Sequence, residues 1–336
     1  FVTGPTSFYV LRFLLGVAEA GFLPGILFYL GAWFPRAERA RAVSWFMVGI
    51  PLSTVFGGPI AGALLGLDGR HGLAGWQWLF LLEGLPAVVL GITTWLWLPD
   101  SPAHARFLSA GEAERVSTRI AAEAAHTASR HAPGLRHVLL SPTVWLLGLV
   151  LFACQCGSYG LTLWIPQIVR GISGASDLAV GFIAALPYIA AAIAMILVGA
   201  SSDRTGERFW HVALPSFIGA AGFAASAFLL TPVPGMIALT IAAMGDLSTR
   251  GPFWTLPPRF LTGSALAAGI ALVNTMGSLG GFVGPYAVGI IREETGSFTG
   301  GMLLLSGLLV LAGGVTLWLR RAPLLSGADD AGLQPR

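Results

Sequence analysis

Residues 55–66 read VFGGPIAGALLG, and a like pattern returns at 280–291 as GGFVGPYAVGII. Each carries a Gly-Pro pair inside an apolar run, Gly58-Pro59 and Gly284-Pro285, followed by another glycine, Gly62 or Gly289. Each is preceded by a short arginine loop holding a Pro-Arg pair, Pro35-Arg36 and Pro258-Arg259. The Pro-Arg pairs and the Gly-Pro pairs are separated by nearly the same length of chain. Apolar runs of ~20 residues mark membrane helices. They are read at about 7–34, 43–66, 76–98, 141–168, 178–199, 211–230, 234–257, 264–291 and 298–320. That is roughly nine spans, with six helices between matching elements. A six-helix repeat is the pattern of transporters built from two bundles related by an axis along the membrane normal.

Composition supports a polytopic membrane protein. The chain is 55% hydrophobic and 10% charged, with a mean hydropathy of +0.75, against ~25% charged residues in a soluble domain. Every basic residue other than histidine is arginine. A phosphate-binding P-loop needs a lysine, so ATP-driven work within this chain is not expected. The net charge of +3 sits in loops and speaks to membrane orientation, not to nucleic acid. Cys154 and Cys156 fall inside an apolar run and read as packing residues. No cofactor and no metal is called for.

Arginine placement sets the direction of the spans. One side takes most of them, from Arg36, Arg39 and Arg41 through Arg106, Arg115, Arg119, Arg204, Arg208 and Arg259 to Arg320 and Arg321; the other takes Arg70, Arg170 and Arg292. The rich side is expected in the cytoplasm, with the C-terminus. Trp76 and Trp78 open the third span at the opposite interface, as aromatic belts do. The expected organisation is the remainder of a first bundle over 1–98 and a cytoplasmic linker with a short amphipathic helix over 99–140. A six-helix bundle over 141–320 and a cytoplasmic tail over 321–336 follow. Ser109 and Glu112 have capping-box spacing at the start of the linker helix. If the second span is the fifth helix of its bundle, helices one to three are absent. The chain opens Phe-Val-Thr, without an initiator methionine, in what reads as the tail of an apolar segment.

The loop GASSDRTGERFW, 199–210, adds a specific mark. Asp203, Arg204, Gly206 and Arg208 fit the D-R-x-G-x-R gating loop of the major facilitator superfamily: a tight glycine turn whose charges pair with neighbouring helix ends. RFLLGVAEAGFLPG, WFPRAERARA, GWQWLFLLEGLPAVVLG, DSPAHARFL and RFLTGSALAAGIALVNTMGSLGGFVGPYAVG resemble the anion:cation symporter family of that superfamily. Within it, the chain resembles the bacterial branch that imports tartrate, phthalate, hydroxyphenylacetate and related carboxylates with protons. The resemblance implies an all-α major facilitator superfamily transporter fold, with about nine of its twelve transmembrane helices present, in the bacterial inner membrane. It implies a small organic anion and a proton as partners, with the lipid bilayer around a monomer.

Ionisable groups inside a bilayer are costly and usually do work. Arg12 and Glu19 are seven residues apart, on one helix face with ~10 Å of rise between them. Gly16 lies between them, and Pro24 is expected to kink the helix one turn on. Arg12 is the candidate for holding an anionic substrate and Glu19 for carrying the coupling proton; the resemblance implies the same pairing. A structural ion-pair network is the alternative. Asp246 and Arg250 form a second possible charge pair, four apart on the seventh span. Gln155, Tyr159 and Asn274 are candidates for hydrogen bonds to substrate, and Trp254 for stacking or gating, although all four suit helix packing equally well. Gly277, Gly280, Gly281 and Gly284 give a small-residue face for close helix approach.

Two other classes are distinguishable. A membrane enzyme needs a catalytic cluster at one depth, and none is legible. A remnant without transport is the second, since absent helices would remove part of the cavity wall and a cation.

Overall fold

The computed structural model describes residues 2–35, 37–128, 135–173, 177–229, 231–261 and 263–321; Arg36, Arg130 and Arg336 lie outside them. Fifteen α-helices are described and, among these residues, no strand. The first three apolar runs give α1 (Pro5–Glu19) and α2 (Phe22–Trp33), then α3 (Arg39–Met47) and α4 (Gly49–Leu65), then α5 (Gly75–Trp97). The polar stretch forms α6 (Ala110–Ala128) and α7 (Leu135–Leu140). The rest gives α8 (Pro142–Ser173), α9 (Asp177–Thr205), α10 (Trp210–Phe228), α11 (Pro232–Ser248), α12 (Arg250–Phe253), α13 (Pro257–Phe260), α14 (Gly263–Thr295) and α15 (Thr299–Arg321).

Eight segments among the described residues are long and apolar enough to cross a membrane. Nine were expected, and the difference is the seventh, 234–257. There α11 stops at Ser248 and α12 begins at Arg250. Pro252 has no N–H to return to the preceding turn. The Thr249 hydroxyl at the break donates to the Asp246 carbonyl at 2.7 Å. The first span is interrupted as expected near Pro24: the break falls at Ala20–Gly21, one turn before it, where the missing N–H of Pro24 leaves the Ala20 carbonyl without its helical donor.

Helices α8 to α15 pack around a core that fully buries Leu147, Ile165, Met195, Phe223, Leu239 and Phe253. Small residues set the approach. A Cβ on Gly280 would run into the Phe152 carbonyl, and one on Gly284 would lie 2.5 Å from Cys156 Cα, so α14 rests on the backbone of α8. Gly245 of α11 meets Gly219 of α10 in the same way, with the Pro215 carbonyl 2.6 Å from a would-be Cβ. Between membrane helices, such contact replaces the hydrophobic drive that lipid removes. Both cysteines are buried in this packing.

In contrast, α1 buries none of its residues and α5 only Gly75. α3 and α4 lie across α9, and α3 also meets α12. The linker helix α6 stays at the surface, with Phe107 just ahead of it stacked on Trp33 at 5.8 Å. Its capping box forms: the Ser109 hydroxyl and backbone N–H both donate to Glu112, at 2.6 and 3.0 Å. The hydroxyl bond first, then the backbone bond, holds the Glu112 carboxyl below its ordinary range. The helix start therefore gains from this carboxylate at neutral pH and loses that gain as pH falls through the depressed value.

Candidate functional site

At the arginine-rich end, the loop after α9 reaches across to another part of the chain. Gly206 takes a positive φ of 69°, which glycine adopts without a Cβ clash. The turn folds Arg208 back onto Asp203, Nη1 to Oδ1 at 2.5 Å, with both side chains almost fully enclosed. Asp203 then accepts the backbone N–H groups of Ala40, at 3.2 Å, and Arg41, at 2.5 Å. These are first-turn donors of α3, whose own N-cap residue, Glu38, makes no side-chain cap. A carboxylate at that position satisfies orphan donors and meets the positive end of the helix dipole, worth about 0.5–2 kcal/mol. Arg208 also donates to Ser202 Oγ at 2.9 Å, and Arg259 donates to the Gly206 carbonyl at 3.3 Å. Arg204 is exposed beside this network.

Beneath the cap, α3 sits in a notch made by two glycines. Side chains on Gly199 of α9 or Gly251 of α12 would each overlap Ser44, and would lie 3.3 and 2.9 Å from the Ala40 carbonyl. Ser44 is buried, and its hydroxyl makes no hydrogen bond. The motif signalled the charges of this contact. Nothing singled out Ala40, Ser44, Gly199 or Gly251, although Ala40 and Gly199 lie inside quoted stretches.

One turn deeper lie Asp246 and Arg250, 1% and 4% exposed. Their closest ion-pair approach is 3.8 Å, Nη2 to Oδ1. Ser158 of α8 stands between them: it receives Arg250 Nη2 at 2.5 Å and donates to Asp246 Oδ2. Arg250 also donates to the Cys154 carbonyl at 3.3 Å. The simple i,i+4 pair expected from spacing is thus a three-residue bridge between α8 and the α11–α12 break. Ser158 was missed; a hydroxyl three residues beyond Gln155 was its only signal.

The remaining sequence candidates are dispersed. Arg12 and Glu19 both lie exposed on α1, and no hydrogen bond or ion pair joins either to another described residue. Gln155 and Tyr159 do share the α8–α14 seam, where a Cβ on Gly277 would lie 3.4 Å from Gln155 Cγ and one on Gly281 3.0 Å from the Tyr159 ring. Asn274 is half-buried one turn before that seam, its carbonyl accepting Ser278 Oγ at 3.1 Å. Trp254 is 3% exposed and packed edge-on to Phe253 at 5.3 Å, so in this conformation it fills space and stacks on no open cavity.

A cavity of about 620 Å³ opens at the arginine-poor end, lined by Trp164, Tyr286, Arg292 and Glu293 among others. It contains none of the sequence candidates. Its arginine is already engaged, over Phe298 at 4.6 Å and Trp164 at 5.4 Å, with a bond to Gln167 Oε1 at 2.5 Å. Among the described residues, no group of three or more His, Cys, Asp or Glu side chains is placed to hold a metal ion.

Long apolar helices that carry few charges mark a multi-pass membrane protein. A family model described as the Major Facilitator Superfamily matches residues 1–285, and the chain belongs to that family. It is 47% identical over 327 residues to a protein of Agrobacterium vitis named "Putative tartrate transporter", covering 96% of this chain and 71% of the relative. It is 42% identical over 306 residues to a "Quinolone resistance transporter" of Acinetobacter baumannii, covering 91% and 70%. Among solved structures, a bacterial homologue of the human lysosomal transporter Spinster, in an inward-facing and unoccupied conformation, shares the fold at a TM-score of 0.61. Identity there is 19%, with 98% of this chain and 80% of that one covered. These matches do not establish the absence of the three leading helices expected from the sequence.

Proposed function

We propose that this protein imports small organic anions, carboxylates of the tartrate, phthalate or hydroxyphenylacetate kind, by proton symport with alternating access. The observation that carries the substrate class is the relative named for tartrate, 47% identical over 96% of this chain and 71% of its own length. In this reading the arginine-rich end lies in the cytoplasm of a bacterium, and the Asp203–α3 cap is the inner gate in its closed state. Arg12 supplies positive charge toward the substrate carboxylate and Glu19 takes up and releases the coupling proton. Gln155, Tyr159 and Asn274 supply uncharged hydrogen-bonding groups along the α8–α14 seam.

The test is counterflow in proteoliposomes loaded with unlabelled tartrate and offered a labelled panel of carboxylates. Arg12→Ala is expected to weaken carboxylate exchange at least about tenfold, the equivalent of about 1.4 kcal/mol. Unchanged anion affinity would reassign Arg12 to structure. Counterflow by quinolones and not by carboxylates would favour the reading suggested by the Acinetobacter relative.

A further inference from the structure

We propose that Asp246 is a proton-binding site whose occupancy controls the seat of α3 between α9 and α12. Three observations meet there. First, the carboxylate is enclosed, and its Oδ1 is buried without a hydrogen-bond partner. A buried charge persists only when it is paired and hydrogen-bonded, and here one oxygen lacks a donor. Second, its counter-ion is shared. Arg250 stands 3.8 Å from that same oxygen and spends its nearer bonds on Ser158 and the Cys154 carbonyl. A proton on the carboxylate therefore removes the charge attraction yet leaves Arg250 with two acceptors of its own. Third, Arg250 opens the short helix α12, and the next residue, Gly251, bears directly on Ser44 and Ala40 of α3. The Ala40 N–H is one of the two that Asp203 caps. The buried carboxylate and the surface cap thus act on the same turn of α3.

No other described group substitutes for Asp246 in this pocket. α8 presents the thiols of Cys154 and Cys156 and the Ser158 hydroxyl. α9 presents Tyr188, whose hydroxyl donates to Thr162 at 2.9 Å. α10 presents the Ser216 hydroxyl, committed to the Val212 carbonyl at 2.8 Å. Among the described residues, Arg250 is the cation facing it. When Asp246 is charged, the bridge holds α12 against α3 and the arginine-rich end is closed. When Asp246 takes up a proton, the ion pair is lost, α12 is released from α11, and the notch loosens. The proton binds and leaves unchanged; no covalent step is involved.

This inference rests on the transporter fold and not on the identity of the solute, so it is tested without one. Spin labels on Ala37→Cys and Thr205→Cys, both exposed, report the distance between the start of α3 and the end of α9 in the full chain in nanodiscs. The expected result is a change from a short to a long distance as pH falls, with the slope of a single proton. Asp246→Asn is expected to abolish that titration. Ser158→Ala keeps every charge but removes the bridging hydroxyl, and is expected to displace the midpoint by about one pH unit or more. This second variant decides the matter if Asp246→Asn does not fold. An unchanged titration in folded Asp246→Asn, or an unmoved midpoint in Ser158→Ala, would overturn the proposal.

Discussion

In proteoliposomes with an acidic exterior, Glu19→Gln is expected to abolish uphill uptake of the anion while sparing part of its exchange. Each pH unit across the membrane supplies about 1.4 kcal/mol, enough for about a tenfold gradient of a solute carried with one net proton. Glutamine keeps the size and hydrogen-bonding shape of the side chain but cannot take up that proton. The variant should therefore still cycle with solute bound and should equilibrate instead of accumulating. Acid-driven accumulation at the level of the unaltered protein would remove Glu19 from the coupling and leave Asp246 as the acid to examine.

The second large effect is expected at Gly251. A valine there would overlap the Ser44 hydroxyl and press on the Ala40 carbonyl, 2.9 Å from its Cβ. Real Cβ atoms do not sit so close to backbone, and the notch has no flexible side chain to yield except Ser44 itself. Forcing extra bulk into a packed contact costs about 1–3 kcal/mol. If that cost falls only on the closed state, it shifts a balanced two-state gate at least about fivefold toward open. Gly251→Val should then show the long distance between Ala37→Cys and Thr205→Cys labels at every pH and lose turnover accordingly. Ser44→Gly should restore closure partly in a Gly251→Ala background, because it removes the atoms that collide. Equal damage with and without Ser44→Gly would mean that the two residues do not act as a pair.

The fold was legible because membrane helices write themselves as apolar runs, and eight of the nine expected are long and apolar enough to cross a membrane among the described residues. What failed was continuity. A run such as 234–257 stays apolar while its backbone breaks at Thr249, because hydropathy does not register the missing N–H of Pro252. In the first span, likewise, the break at Ala20–Gly21 falls one turn before a proline, Pro24, inside an apolar run.

The sites divided along similar lines. Charges were legible in sequence for two reasons: Arg12, Glu19, Asp246 and Arg250 stand out inside apolar runs, and Asp203 and Arg208 fit a loop motif of the resembled superfamily. Their partners were not. Ser158 is an ordinary hydroxyl until Arg250 and Asp246 close on it from another helix. Ser44, Gly199 and Gly251 matter through their smallness, and small residues are everywhere in a chain with 45 glycines. Asp203 was expected to pair with a neighbouring helix end. Which end could not be read, since α3 lies far from it in sequence and offers only backbone N–H groups.

The central claim is that this chain moves organic anions at the expense of a proton gradient. The direct measurement is uptake of labelled tartrate into proteoliposomes under an imposed acidic exterior, with and without a protonophore. The expected result is transient accumulation above the external concentration, abolished by the protonophore, together with alkalinisation of the external medium on adding tartrate. Equilibration without accumulation, no movement of protons with the solute, or no entry of any carboxylate would contradict the account.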